Sequence, residues 1–314
     1  MTTFIIRRLL QTILVIFIVS FITFSLLHLT PGDPVIIMLG DDATQEQIDV
    51  LRKELGLDRP FIVQYGYWLA DVLRGDLGKS IVYNENVTEL MANRMPITAY
   101  LALISICLST LIGISAGVIS AVKRGSIHDS IITLIANIGV AIPVFWLGVV
   151  GIYVLGLKLG WLPIQGYTSP FADFWKSTRQ LVMPVICLSI IDIAVLTRQS
   201  RSSMLEVLRQ DYIRTALAKG LKGYVVVVKH ALKNGLIPVV TLLGLRLRSL
   251  IGGSVLIETV FNIPGMGRLL VRGAFDKDFL IVQAGVLVTA LVVCLANLIV
   301  DISYGWLDPR IRYD

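Results

Sequence analysis

The residues of this sequence best placed to do chemistry are three charges inside long apolar runs. Asp192 stands in the run 181–197, and Arg246 and Arg248 stand in the run 236–257. In hydrocarbon a central arginine costs roughly 2.5–3.5 kcal/mol on the most lenient scale, so the two together call for about 5–7 kcal/mol of compensation. Residues two apart on a helix are separated by about 200°, so Arg246 and Arg248 cannot both face one cavity. Arg246 is expected to line a solute path, with Arg248 or Asp192 spent on structure. At 1.5 Å per residue, Asp192 lies about 9 Å of helix before the cation Arg198, and Arg246 about 15 Å beyond Leu236. Those depths permit contact, and an Asp192–Arg246 ion pair with no solute role is the competing expectation.

Other reactive patterns fail on context. Gly113-Ile114-Ser115-Ala116-Gly117 fits G-x-S-x-G, but a nucleophile elbow needs a strand-to-helix turn with His and acid partners, and this one lies inside an apolar run. Its glycines read instead as a close helix contact. Gly78-Lys79-Ser80 ends like a phosphate loop, yet Leu73 occupies the position of the required first glycine. Gly265-Met266-Gly267 has Leu270 where a dinucleotide fingerprint needs its third glycine. His28, His128 and His230 are scattered, and Cys107, Cys187 and Cys294 each sit in an apolar run without CxxC spacing, as small hydrophobes do. No catalytic residue, metal site or cofactor is expected.

The elements that position these residues follow from composition. With 55% apolar residues and 16% charged against about 25% in soluble domains, the 314-residue chain cannot dress a water-facing surface. A mean hydropathy of +0.77 agrees. Six runs approach the roughly 20 residues that cross a bilayer: 9–29, 99–122, 130–157, 181–197, 236–257 and 280–300. Each must be a helix, because lipid offers the backbone no hydrogen-bond partners. The third is long enough to tilt or to break near Pro143, and the fourth is short, with Pro184 in its first turn. The first has the charged and apolar regions of a signal peptide but no A-x-A site after it, so a permanent helix is expected.

Arg7 and Arg8 precede the first span, which puts the N-terminus in the cytoplasm by the positive-inside tendency. Loop 198–235 then falls inside with eight cations, Arg198, Arg201, Arg209, Arg214, Lys219, Lys222, Lys229 and Lys233, against Glu206 and Asp211. The outer loops 158–180 and 258–279 hold three cations each. Both termini are expected in the cytoplasm. The net charge of +6 is thus a topology signal and implies no nucleic acid.

Outside the lipid, the large loop 30–98 opens on Thr30-Pro31-Gly32-Asp33-Pro34, which stops the first helix. Thr44 and Gln47 form a capping box for a short helix whose stripe is Ile48, Leu51 and Leu55 and whose stop is Gly56. That stripe is expected to dock on the membrane domain. On the inner side 203–219 reads as one amphipathic helix, with Leu205, Leu208, Tyr212 and Ala216 at helical spacing and Gly220 as its stop. It suits either an interfacial position on anionic lipid or docking to a cytosolic partner.

Several stretches carry a resemblance. DYIRTALAKGL at 211–221 and HALKNGLIP at 230–238 resemble the signature loop of ATP-binding-cassette importer permeases, specifically the peptide, glutathione and nickel group. The generic motif of that loop is met imperfectly by Arg214-Thr215-Ala216 and Gly220, and Ile237-Pro238 falls late, whereas the peptide-type form fits better. TPGDP at 30–34, GLDRPFIVQYGYWL at 56–69, GDLGKS at 75–80, AIPVFWLG at 141–148, LTRQSRSSMLEVL at 196–208, GGSVLIETVFNIPGMGRLL at 252–270 and the tail LDPRIR extend the likeness along the chain. The departures are Arg246 and Arg248, where the family carries small or amide residues, and Asp192, where it carries an apolar one.

The resemblance implies an all-α membrane protein of the type I importer permease fold, a single permease domain over 1–314 with 198–235 as the cytoplasmic coupling loop. It implies pairing with a second, similar permease subunit, with two cytosolic ATPase subunits that hydrolyse the ATP, and with an extracytoplasmic substrate-binding protein. Asp211, Tyr212, Arg214, Thr215, Ala216, Ala218 and Gly220 would form the contact with the ATPase. An ion-coupled secondary transporter would need repeats and a midplane cation site, and neither is visible. A self-contained membrane enzyme would need clustered polar residues. A carrier of nickel chelates remains within the same family.

Overall fold

The computed structural model describes residues 2–29, 35–36, 44–54 and 56–307. The TPGDP turn, Leu55 and residues 308–312 of the tail lie outside the described residues, as do the side chains of Leu51 and Arg248. The elements among the described residues are helices, in the order α1 Thr2–Leu29, α2 Gln45–Glu54, α3 Phe61–Leu73, α4 Val87–Val122, α5 Ile127–Ala141 and α6 Val144–Gly151, which continues as a π-helical turn Ile152–Lys158. Then follow α7 Phe174–Val207, α8 Asp211–Ala218, α9 Gly223–Gly235 with a π turn at Val226–Ala231, α10 Ile237–Val260, α11 Met266–Phe275 and α12 Phe279–Leu307.

Helices α1, α4, α7 and α12 are each long and apolar enough to cross a membrane, and two bent pairs meet the same test together. One pair is α5 and α6, bent by 99° at the break before Val144. Pro143 causes it: its ring excludes the helical backbone at Ile142, which is extended at φ −82° and ψ 126°. Of the two expectations for this span, tilt or break, the break is what forms. The second pair is α9 with the start of α10, bent by 51°.

The helices overrun the apolar runs. α4 begins at Val87, so residues 87–98 of the expected large loop are its first turns. α7 begins at Phe174 and puts Pro184 in its interior rather than in a first turn. Hydropathy marks only the part of a helix suited to lipid, and polar residues such as Glu89, Arg94 and Arg179 continue the same hydrogen-bond ladder outside it.

The chain divides into two compact units, Met1–Ile97 with Gly265–Asp314 and Thr98–Pro264. In the first, α1 packs along α12, and α11 packs on α12. Phe17, Phe21 and Phe24 of α1 meet Phe61, Tyr65 and Trp68 of α3 edge-on or tilted, and the Ser20 hydroxyl shares a 2.8 Å hydrogen bond with the Tyr65 hydroxyl. Val87, Leu90, Met91, Met266, Leu269, Ile281 and Ala284 form a separate core in the same unit. Asp278, fully buried, accepts from the Ser80 hydroxyl at 2.6 Å and from the Ile81 and Val82 amides at 3.0 and 3.2 Å, and caps α12 through Ile281 N. The capping box forms as expected: Gln47 N donates to Thr44 Oγ1, and Thr44 N to Gln47 Oε1. Ile48 of the docking stripe is buried.

The second unit is built around α7, against which α5, α6 and α10 pack. α4 approaches α7 through its two glycines. A Cβ at Gly113 would lie 2.7 Å from Leu196 Cβ, and one at Gly117 would lie 2.5 Å from both Ser200 Cβ and the Thr197 carbonyl. The G-x-S-x-G pattern is thus a helix contact, as small residues four apart suggest.

Candidate functional site

At one end of this unit, α8 lies across a core of Ala121, Met204, Ile213, Ala216, Val226 and Ala231. This segment differs from the single helix 203–219 expected from its apolar spacing. Residues 203–207 are the last turn and a half of α7, the chain turns over Leu208–Gln210, and α8 starts afresh at Asp211. Leu205 and Leu208 keep the spacing because they pack on the same core as Ile213 and Ala216 from the other side of the turn.

α8 is two-faced. Ile213 and Ala216 are buried, while Asp211, Tyr212, Arg214, Thr215, Ala218 and Gly220 are exposed, together with Leu217, Leu221 and Tyr224. Tyr212 is steadied by Asn234 Nδ2 at 2.9 Å, and Arg214 sits 3.6 Å from Asp211, an exposed pair worth little in stability. Gly220 ends the helix at φ +77°, with Leu221 N reaching the Ala216 carbonyl and Gly220 N the Leu217 carbonyl. This is the left-handed cap that glycine adopts without strain. What results is a short rigid rod, apolar below, with aromatic, aliphatic and basic groups on its outer face. Of the expected contact residues, only Ala216 faces inward.

The intramembrane charges meet. Arg246 Nη1 lies 3.6 Å from Asp192 Oδ1, with the Arg246 side chain 30% exposed and that of Asp192 8%. Depth along the helices permitted this contact, and packing of α10 on α7 makes it.

Sequence reasoning passed over a stronger pair. Asp129, in the first turn of α5, accepts from Arg201 Nε at 2.7 Å and Nη2 at 2.9 Å, from the Ser120 hydroxyl at 2.5 Å and from Gly125 N at 3.0 Å. One carboxylate thereby joins α4, α5 and α7 close to the core under α8. Its signal was Ser126-x-x-Asp129, a capping pattern, and Ser126 does accept from Asp129 N. Glu258, fully buried near the end of α10, takes the Thr98 hydroxyl at 2.7 Å; nothing in its spacing marked it. Among the described residues no cluster of His, Cys, Asp and Glu could hold a metal ion.

Comparison with known proteins bears on the whole chain. Residues 113–313 match the family described as binding-protein-dependent transport system inner membrane component, and residues 1–102 match the N-terminal model of such components. A putative peptide transport system permease protein of Brucella abortus (strain 2308) is 42% identical, with all of both chains covered. The dipeptide transport system permease protein DppB of Alkalihalophilus pseudofirmus is 40% identical, and the oligopeptide transport system permease protein AppB of Bacillus subtilis (strain 168) 42%, again over the full length of each. In fold, the chain is similar to a solved chain of the inward-facing MetNI methionine ABC transporter, at a TM-score of 0.57 and 19% identity, covering 70% of this chain and 96% of that one. Helical spans and full-length matches agree: this chain is a multi-pass membrane protein and belongs to the family of binding-protein-dependent transport system inner membrane components.

Proposed function

We propose that this membrane component carries short peptides inward as one half of a translocation path. In this reading a second, similar permease supplies the other half, two cytosolic ATPases drive alternating access, and an extracytoplasmic binding protein delivers cargo. The protein resides in the inner membrane. The observation that carries the reading is the outward face of α8, a rigid glycine-ended rod with Tyr212, Arg214, Leu217 and Tyr224 exposed. A mixed apolar and basic surface of this kind seats well in a cleft on a protein partner. Asp211, Tyr212, Arg214, Thr215, Ala218 and Gly220 would touch the ATPase, and Ala216 would hold the rod to its core. Peptide cargo is supported by the relatives named as peptide, dipeptide and oligopeptide permeases.

Coupling is tested at Gly220. Nothing lies within 4 Å of a Cβ there, so the obstacle to substitution is the backbone at φ +77°, not space. Proline, fixed near −65°, cannot take that conformation and also loses the N–H now given to Leu217. Gly220→Pro should abolish cargo-stimulated ATP hydrolysis and uptake in the assembled transporter, while Gly220→Asn, which tolerates the left-handed region, should retain most of both. Equal, undiminished uptake by the two variants would exclude the rod from coupling.

Both termini and the 198–235 loop are proposed to lie in the cytoplasm and the 30–98 segment outside, on the strength of the cation distribution. With the three native cysteines removed, a cysteine at Asn84 should react with an impermeant thiol reagent on intact cells. Reaction only after lysis would reverse the orientation.

A further inference from the structure

The unit Thr98–Pro264 holds two ion pairs built on opposite plans. Around Asp129 every contact is short: a two-pronged Arg201 at 2.7 and 2.9 Å, a hydroxyl and an amide. That carboxylate is saturated, and such a pair serves structure. Asp192 and Arg246 are instead 3.6 Å apart, well beyond the 2.7–2.9 Å of a charge-assisted hydrogen bond. Among the described residues, the Asp192 carboxylate pairs with Arg246. Replacing a largely desolvated pair by apolar side chains of similar volume is often neutral or stabilising, because the cost of desolvating both charges is poorly recovered when the geometry is loose. Stability does not account for placing it in a membrane span.

Exposure is also unequal. The Asp192 side chain is 8% exposed and that of Arg246 30%, close to the 9% and 31% of Asp129 and Arg201, but here the exposed arginine stands within an apolar run. An arginine at such a position in a membrane span almost always meets other protein or a water-filled path rather than lipid. Arg246 has a further interaction beyond Asp192, and a guanidinium has five donors in a planar fork that fits a carboxylate with two parallel bonds.

We infer that Arg246 is a cargo-selecting residue, and that Asp192 and the carboxylate of the cargo compete for its guanidinium. The inference rests on the peptide reading above: the matching ligand is the C-terminal carboxylate of a short peptide. Asp192 keeps Arg246 oriented and partly neutralised. The arriving carboxylate takes the outward prongs of the fork, and repulsion from Asp192 keeps the complex weak. A path site needs both properties, since cargo must be able to enter and also to leave. A structural pair predicts that losing either charge harms transport of every cargo alike. Competition predicts that the two losses act in opposite directions.

The test uses the complete transporter, with its partner permease, ATPases and binding protein, in proteoliposomes. The probes are tripeptides without acidic side chains, as free acids and as C-terminal amides, and a third set of amides carrying one aspartate to separate terminal from side-chain carboxylates. Uptake is measured at saturating loaded binding protein and expressed as the ratio of acid to amide, so that the binding protein's own preference is common to all variants. Arg246→Gln should lower this ratio about tenfold, the size expected for losing a charge-assisted hydrogen bond. When the loaded binding protein is titrated instead, Asp192→Asn should lower the apparent KM for the acid and leave that for the amide unchanged. Arg246→Lys keeps the charge but loses the fork, and should fall between; if Arg246→Gln does not assemble, Arg246→Lys decides, and an unchanged ratio overturns the inference. It is equally overturned if Arg246→Gln and Asp192→Asn reduce acid and amide uptake in proportion, or if the exchange Asp192→Arg with Arg246→Asp restores uptake at the wild-type ratio. Failure of the wild-type transporter to move any peptide would strike the peptide reading, and this inference with it; wild-type uptake with unmoved ratios strikes this inference alone.

Discussion

One methyl group at Gly117 is expected to destabilise the protein by about 1–3 kcal/mol, the usual cost of overfilling a packed interface. The methyl would lie 2.5 Å from Ser200 Cβ, 2.5 Å from the Thr197 carbonyl and 3.0 Å from Arg201 N. Two of these three atoms are helix backbone, which cannot swing aside as a side-chain end can, so α4 and α7 must separate. Dispersion contacts along the whole seam weaken when they do. Gly66→Ala, on α3, is the control: nothing lies within 4 Å of its Cβ. Helix propensity alone should make that variant neutral or more stable by up to about 1 kcal/mol. Thermal unfolding of the two purified variants in detergent measures the difference, and indistinguishable midpoints would refute the close contact.

Asp129→Ala is expected to cost about 3–5 kcal/mol, the penalty for leaving one member of a buried pair unmatched. The loss is larger than one ion pair because Ser120 and Gly125 N lose their acceptor together with Arg201. Arg201 is 31% exposed and can recover some hydration, which favours the lower end of the range. Changing both members, Asp129→Ala with Arg201→Met, removes the stranded cation and should return part of the loss. A double variant no better than the single one would mean that the guanidinium is not the stranded group. Lower yield of assembled, unfolding-resistant protein is the readout, and α8 should loosen with it, since Ser120 and Arg201 flank Ala121 and Met204 of the core under that helix.

Where sequence reading succeeded, the physics was local. Thr44 and Gln47 cap a helix with groups three residues apart, and Pro143 breaks one through its own ring. Gly220 ends α8 because the left-handed cap there is a property of that residue. The apolar stretches were visible for the same reason, since each has to satisfy lipid by itself, and four of them are single helices long and apolar enough to cross a membrane. Where the reading fell short, the deciding contact was distant. The turn at Leu208–Gln210 is invisible to periodicity because both sides of it pack on one core. Asp129 went unmarked because its partner Arg201 stands 72 residues on. Asp192 and Arg246 could be matched in depth, yet only the packing of α10 on α7 sets their 3.6 Å separation.

The first compact unit is assembled from both ends of the chain, and Asp278 fastens residues 80–82 to the start of the last helix across nearly 200 residues. During synthesis, then, the early helices have no finished unit to join. Residues 98–264 must be made first, and at roughly 5–20 residues per second the wait is on the order of ten seconds or more. Throughout it the Ser80 hydroxyl and the Ile81 and Val82 amides lack their carboxylate, and α1 lacks the long helix it packs along. Newborn protein should therefore be most open to proteases and quality control through its N-terminal segment, and a ribosome that stalls before Asp278 releases a chain whose beginning, not its end, is the unfinished part.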